Sequence, residues 1–270
     1  MRGLIARSQA TFAAVAGNLP LLLELIRRDI RGRFAGARFG LFWSLFNPAI
    51  QLLSYGLIFG FLYGSSDPLR RSVLVSSLFC GLFPWWAFQE GTTRGMAALV
   101  DQASLLKRIP LPPVLPIIAA TTASFILQMV GFLIFLAVFS AVGLLVPTSA
   151  WLWLPGVMGL SLVFSLTLAL LLAPLYLVVR DTQHIVTALL TIGFFASPVL
   201  YELDFLPASL RFAAACNPMA ALLGFYRAIV LGGDLPAAIS VAALAVAIGL
   251  AWVLAMSLAS RLEGRLDEYW

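Results

Sequence analysis

Charge is what this sequence has least of. Only 11% of its 270 residues are Asp, Glu, Lys or Arg, while 61% are hydrophobic. A soluble domain carries about 25% charged and roughly 45–50% apolar residues. So few charges cannot cover a surface that meets water on every side, which excludes one large soluble core. Histidine is nearly absent, with His184 alone, and there are two cysteines, Cys80 and Cys216. A single histidine cannot build a histidine-based zinc centre. The cysteines lack metal-ligand spacing and are read as buried free thiols. No Gly-x-Ser-x-Gly elbow and no Walker A loop occurs, so neither that hydrolase chemistry nor that mode of ATP binding is expected here. The net charge is +5, yet no basic stripe interleaved with aromatics lies outside the apolar runs, so nucleic acid is not an expected partner. The first apolar stretch, 11–25, is broken by Gly17, Asn18 and Pro20. It has no small-residue cleavage site, so no cleavable signal is expected.

What the sequence does have is long apolar runs. A run of about 20 residues crosses the hydrocarbon core of a bilayer as a helix. Six such runs cover 39–63, 73–100, 114–142, 151–179, 182–200 and 235–260. The expected fold is an all-α polytopic membrane protein with six transmembrane helices in a single domain, 1–270. Residues 18–36 form a different element. Leu19, Leu22, Ile26, Ile30 and Phe34 recur at three- and four-residue steps, while Glu24, Arg27, Arg28 and Arg31 occupy another face. Such a basic amphipathic helix lies in the membrane interface.

Before the last run comes an apolar segment cut by Asn217-Pro218. Proline ends the first half, and neither half reaches the ~20 residues of a crossing. Residues 205–232 are therefore expected to form a re-entrant helical hairpin at the outer face. Of the 17 basic residues, only Arg70, Arg71, Arg211 and Arg227 then fall outside. The positive-inside rule places both termini in the cytoplasm.

Polar groups at membrane depth are costly and carry functional hypotheses. Glu90 is the sharpest, and Arg94, four residues on, is placed to neutralise it along one helix face. A structural pair and a role in a path through the membrane both stay open. Aromatics gather in the first two runs: Trp43, Phe46, Tyr55, Phe59, Trp85, Trp86 and Phe88. They read either as interfacial belts or as a lining on which sugar rings stack. Residues 101–113, with DQASLLKRIPLP, read as a short cytoplasmic helix closed by prolines. This is either a plain loop or a docking helix for a cytoplasmic partner.

Several blocks together resemble a known family. They are RRDIRGRFAGARFGLFWSLFNPAIQLLSYGLIFGFLYG (27–64), GLFPWWAF (81–88), LLKRIPLPPVLP (105–116), SPVLY (197–201) and NPMAALLGFYRAIVLGG (217–233). The chain resembles the type-2 ABC exporter permeases that move O-antigen, teichoic acid and capsular polysaccharide across bacterial membranes. The likeness spans nearly the whole length. It implies a homodimer of this chain with two copies of a cytoplasmic ATP-binding subunit, in the bacterial cytoplasmic (inner) membrane. No cofactor is expected on this chain; ATP and Mg belong to the partner subunit. The implied cargo is an undecaprenyl-diphosphate-linked glycan.

By the same resemblance, Asp101, Gln102, Leu105, Leu106, Lys107, Arg108 and Ile109 would couple to the ATPase. Arg27, Arg28, Arg31, Arg33 and Arg38 would meet lipid head groups. Trp43, Phe46, Tyr55, Phe59, Trp85, Trp86, Phe88 and Glu90 would line the channel. Ser197, Pro198, Asn217, Pro218 and Arg227 would form an outer gate. Two other readings remain: a type-2 permease for a drug, haem or lipid cargo, and a membrane-embedded lipid-linked sugar transferase. The transferase would need converging acids or histidines, of which there are few.

Overall fold

The computed structural model describes residues 15–35, 40–62, 68–108, 111–201 and 206–262. Arg38 and Ile109, two of the residues singled out above, and the side chain of Phe59 lie outside that description. Every regular element among the described residues is helical.

Helix α1, Leu19–Phe34, begins with proline in its first turn, where the missing N–H costs nothing. Its Leu22 and Leu25 are buried against Leu115 and Ala119, while Glu24, Arg27, Arg28 and Arg31 are exposed. Helix α2, Gly40–Leu62, has 23 residues and no charge. Helix α3, Pro68–Asp101, runs for 34 residues, which at about 1.5 Å each exceeds the thickness of a hydrocarbon core. It gives way at Gln102 to a four-residue helix α4, Ala103–Leu106. Helix α5 is Val114–Ala141. A 3-10 turn, Ser149–Trp153, leads into α6, Leu154–Val178. Then follow α7, Thr182–Ala196, α8, Ala208–Ala215, α9, Pro218–Leu231, and α10, Ala238–Leu262. Among the described residues, three apolar stretches are long enough to cross a membrane by length and composition: Val114–Ala141, Ser149–Val178 and Ala238–Leu258.

Helix α3 is the central post, packed against α5 and α6. Small residues permit the close approach. A Cβ on Gly95 would stand 2.0 Å from Thr121 Oγ1 and 2.6 Å from Ala169 Cβ, so the three helix backbones meet where only glycine fits. One helical turn away, Thr92 Oγ1 and Ser165 Oγ share a hydrogen bond of 3.2 Å. Aromatic stacking extends the seam outward, with Phe88 on Phe164 at 5.0 Å and Phe79 on Phe132 at 4.7 Å between centroids.

The segment after α7 is irregular but enclosed. Ser197, Pro198 and Val199 are buried. Irregular backbone at membrane depth survives only where protein satisfies it. Here Asn217 Nδ2 donates to Ser197 Oγ at 2.9 Å and to Ala196 O at 3.4 Å. Arg227 Nη2 donates to Val199 O at 3.0 Å. Asn217 also starts α9, since its Oδ1 accepts Met219 N–H at 2.9 Å and Pro218 fills the first helical position. Gly232, at φ 76°, closes α9 in the left-handed conformation that glycine alone adopts freely. Tyr226 anchors α9 inward: it is fully buried, and its hydroxyl faces Ser161 Oγ at 3.4 Å. We expect Asn217→Ala to lower the thermal unfolding midpoint of the purified protein by the equivalent of about 1–3 kcal/mol, since it removes a cap and the partner of the buried Ser197 hydroxyl. An unchanged midpoint would show that the turn holds itself.

Both cysteines are free thiols, and Cys80 is buried. Cys216 corrects the sequence reading, because it is exposed. It is the residue that ends α8, next to Asn217.

Candidate functional site

Two features stand out: a polar cavity between α1, α3 and α5 and a polar seam along α2 and α7.

The cavity measures about 590 Å³ and lies between α1, α3 and α5. Arg28, Asp29 and Arg33 of α1 line it, with Glu90, Arg94 and Asp101 of α3 opposite. Its wall is one connected set of charges. Arg33 Nε donates to Asp29 Oδ2 at 2.9 Å, and Nη1 donates to Glu90 Oε1 at 2.6 Å. Arg33 Nη2 reaches Ser124 Oγ of α5 at 2.5 Å. The other oxygen of Glu90 accepts Gln128 Nε2, also at 2.5 Å. Arg94 Nη2 stands 3.5 Å from Asp29 Oδ1. The planar guanidinium fork suits two carboxylates and a hydroxyl at once, which an ammonium group could not match.

This corrects one expectation. Arg94 does not neutralise Glu90. The i,i+4 pair is allowed by helix geometry, but α1 crosses α3 and supplies Arg33, whose side chain is only 13% exposed. Arg33, Gln128 and Glu90 complete one another, and Arg94 turns to Asp29. Arg33 is likewise not a free surface cation; Arg27, Arg28 and Arg31 are exposed. The link between residues 33 and 90 has no signal in sequence spacing.

The seam is built from α2 and α7. Tyr55 and Phe194 bring these helices together, with ring centroids 6.3 Å apart. Beside Tyr55 on α2, Asn47, Gln51 and Ser54 are all exposed, at the four- and three-residue steps of one helix face. Beside Phe194 on α7, Thr187 and Thr191 are exposed, each bonding back to the carbonyl four residues earlier, at 2.8 and 2.9 Å. At the start of α2, Trp43, Phe42 and Phe46 make an exposed aromatic cluster, with Phe42 stacked on Phe46 at 5.0 Å and Trp43 edge-on to Phe46 at 5.5 Å.

The remaining singled-out aromatics lie elsewhere. Trp85 and Phe88 are buried in the core of α3, α6 and α7, and Trp86 is half-buried against Phe83. They share no open face with Trp43 and Phe46. The five residues Ser197, Pro198, Asn217, Pro218 and Arg227 do come together, since Asn217 and Arg227 hold the Ser197–Val199 turn and Pro218 starts the adjoining helix. In the segment after α3, Asp101, Ser104, Lys107 and Arg108 are exposed, while Leu105 packs onto the cluster made by Leu22, Leu25, Leu115 and Ala119. The one histidine, His184, is exposed near the start of α7. The polar stripe Asn47, Gln51 and Ser54 was missed in the sequence reading. Its signal was available: three hydrogen-bonding side chains at helical spacing within an uncharged run.

The model of the ABC-2 type transporter family matches residues 20–231. The chain belongs to this family. Its relatives agree along their length. An O-antigen export system permease protein, RfbA of Myxococcus xanthus, is 32% identical over 256 residues, covering 92% of this chain and 94% of the relative. RfbA of Klebsiella pneumoniae is 25% identical over 219 residues, covering 80% and 82%. The polysialic acid transport protein KpsM of Escherichia coli is 22% identical over 216 residues, covering 80% and 83%. The match to the ABC-2 family includes α1 from its second residue, both walls of the cavity, the seam and the Ser197–Val199 turn, and it ends at the last residue of α9.

Proposed function

We propose that this chain is the membrane-spanning permease subunit of an ABC exporter that carries lipid-linked polysaccharide across the bacterial cytoplasmic membrane. The observation that carries this is the near full-length likeness to a permease named for O-antigen export. The chain is a transporter subunit rather than an enzyme, and ATP with Mg is bound and hydrolysed by a separate subunit.

In this reading six helices cross the bilayer: α2, α3, α5, α6, α7 and α10. Helix α7, with 15 residues, rises only about 22 Å, and the enclosed turn that follows it completes the crossing. Helices α8 and α9 dip in from the outside and return. Both termini are cytoplasmic. Two copies of the chain assemble with two ATP-binding subunits. The seam of α2 and α7 supports a channel between the copies. Exposed amides facing lipid would be left without partners, and each such group costs several kcal/mol in hydrocarbon. Facing water and sugar hydroxyls, the same groups are satisfied. The inner cavity supports a head-group site: Arg28 and Arg94 face an opening beside the bilayer and are suited to phosphate oxygens. Asp101 to Arg108 form the docking segment for the ATPase.

Charge reversal at Lys107 and Arg108 is expected to cut co-purification of the ATP-binding subunit by about tenfold, because rim charges steer docking, while the permease alone keeps its elution profile. Undiminished co-purification would remove the docking role. The function itself is tested in liposomes. The co-purified complex is given undecaprenyl-diphosphate-linked oligosaccharide, and ATP hydrolysis is followed. Stimulation that requires this chain supports the reading. A stable complex indifferent to glycan overturns the cargo, and failure to bind any ATPase overturns the exporter.

A further inference from the structure

Helix α1 is gripped at two points by one continuous stretch of chain. Near its C-terminal end, Arg33 is held by Glu90 of α3 and by Ser124 of α5. Nearer its start, Leu22 and Leu25 pack against Leu115 and Ala119 of α5, with Leu105 of the docking segment and Val114 on the same cluster. Helix α3 runs from Glu90 directly to Asp101, and the docking segment follows without a long connection. The docking segment is therefore tied to α1 twice, through α3 and through its own Leu105. Helix α1 in turn is followed within six residues by α2, from 34 to 40, whose exposed polar stripe forms one wall of the seam.

We propose that Arg33 and Glu90 are the positioning residues that couple the docking segment to the first membrane helix. The pair makes α1, the inner half of α3 and the start of α5 one rigid lever. Displacement of residues 101–108 by the ATP-binding subunit then moves α1, and α1 moves α2. The assignment rests on the exporter reading above. It gives Glu90 a role distinct from channel lining, and Arg33 a role distinct from contact with lipid.

The choice of side chains fits this role. A lever must not yield along its length. Arg33 is fixed by Asp29 from its own helix and by groups on two others, so a rotamer change in any one partner leaves it held. Both carboxylate oxygens of Glu90 are engaged, one by Arg33 and one by Gln128. Removing the charge from Glu90 alone keeps its shape while weakening the grip, which makes Glu90→Gln the informative variant.

The experiment uses the complete complex in proteoliposomes and reads glycan exported per ATP hydrolysed at saturating glycan, normalised to assembled complex. A merely structural role would reduce the amount of complex but leave this ratio alone. The expected result is a fall of about tenfold for Glu90→Gln, within the usual range of coupling effects, with partial recovery in Glu90→Asp. A ratio equal to that of the unaltered complex overturns the clamp while leaving the exporter reading intact. An unaltered complex that hydrolyses ATP and moves no glycan overturns both.

A second measurement stands if Glu90→Gln fails to assemble. Cysteines at Leu22 and Val114, in a Cys216→Ser background, are joined by a short cross-linker. Parts of one lever do not move relative to each other, so export by the cross-linked protein is expected to equal export by the same protein left uncross-linked. A tenfold loss on cross-linking, a figure again within the coupling range, would mean that α1 slides against α5, and the lever would be wrong.

Discussion

Replacing Gly95 with valine is expected to abolish assembly of the protein in the membrane. Even the first added carbon would sit 2.0 Å from Thr121 Oγ1 and 2.6 Å from Ala169 Cβ. Neither neighbour can retreat. Thr121 belongs to α5 and Ala169 to α6, and both are fully buried on helices that pack against others. The clash must move a whole helix, so the usual overpacking cost of about 1–3 kcal/mol is a lower bound here. Gly91, one turn earlier, makes a useful control. Its added carbon would meet Ser165 Oγ at 2.7 Å and Thr121 Cγ2 at 3.4 Å. A serine hydroxyl can rotate aside, so Gly91→Ala should be tolerated far better than Gly95→Ala. Fluorescence-detected gel filtration of detergent extracts gives the order directly. Adding Thr121→Ala to Gly95→Ala should restore part of the folded peak, since it removes the nearest atom but leaves Ala169. Equal behaviour of the two glycines would mean that the helices are not in register as described.

The second large effect has the opposite signature. Asn47→Leu with Gln51→Leu is expected to preserve or raise stability while export falls about tenfold or more. Leucine is favoured over amides on a membrane helix, and both positions are exposed on α2, so neither substitution opens a cavity. Transport should suffer because a polysaccharide presents hydroxyls throughout. Two lost hydrogen bonds of roughly 0.5–1.5 kcal/mol each account for a factor of that size. Export is read as surface glycan in cells lacking the native permease, with the level of the variant measured in parallel. Normal surface glycan at a normal protein level would return Asn47 and Gln51 to the lipid-facing or subunit-facing surface. Trp43 and Phe46 are exposed near the N-terminal end of the same helix, where an aromatic face can stack on a passing sugar ring.

Much of this protein could be read without coordinates, for a definite reason. Lipid imposes a rule that acts on runs of residues rather than on single contacts: each crossing must be apolar and helical, because no water satisfies its backbone. Length and composition therefore announced the long helices such as Val114–Ala141, and the basic amphipathic pattern announced α1. Proline placement was equally plain at Asn217-Pro218, where the structure starts a helix. These are local signals, written within a few turns of chain.

What the sequence could not decide was which side chains from distant segments share a site. Glu90 had a suitable cation four residues away, and local rules chose Arg94. The protein chose Arg33, because α1 packs beside α3 and delivers a guanidinium that is 13% exposed, where that of Arg94 is 43% exposed. Aromatics of the second run looked equivalent to those of the first, yet packing against α6 takes Trp85 and Phe88 inside and leaves Trp43 and Phe46 on an open face. The seam of α2 and α7 joins residues more than a hundred positions apart through one ring contact. By itself, then, the sequence determined the apolar, all-helical character, the amphipathic helix α1 and the break at Asn217-Pro218, since periodicity and composition are properties of contiguous chain. Only the tertiary structure decided the partners of each buried charge and the face each aromatic presents, since those depend on how helices cross, which no single helix encodes.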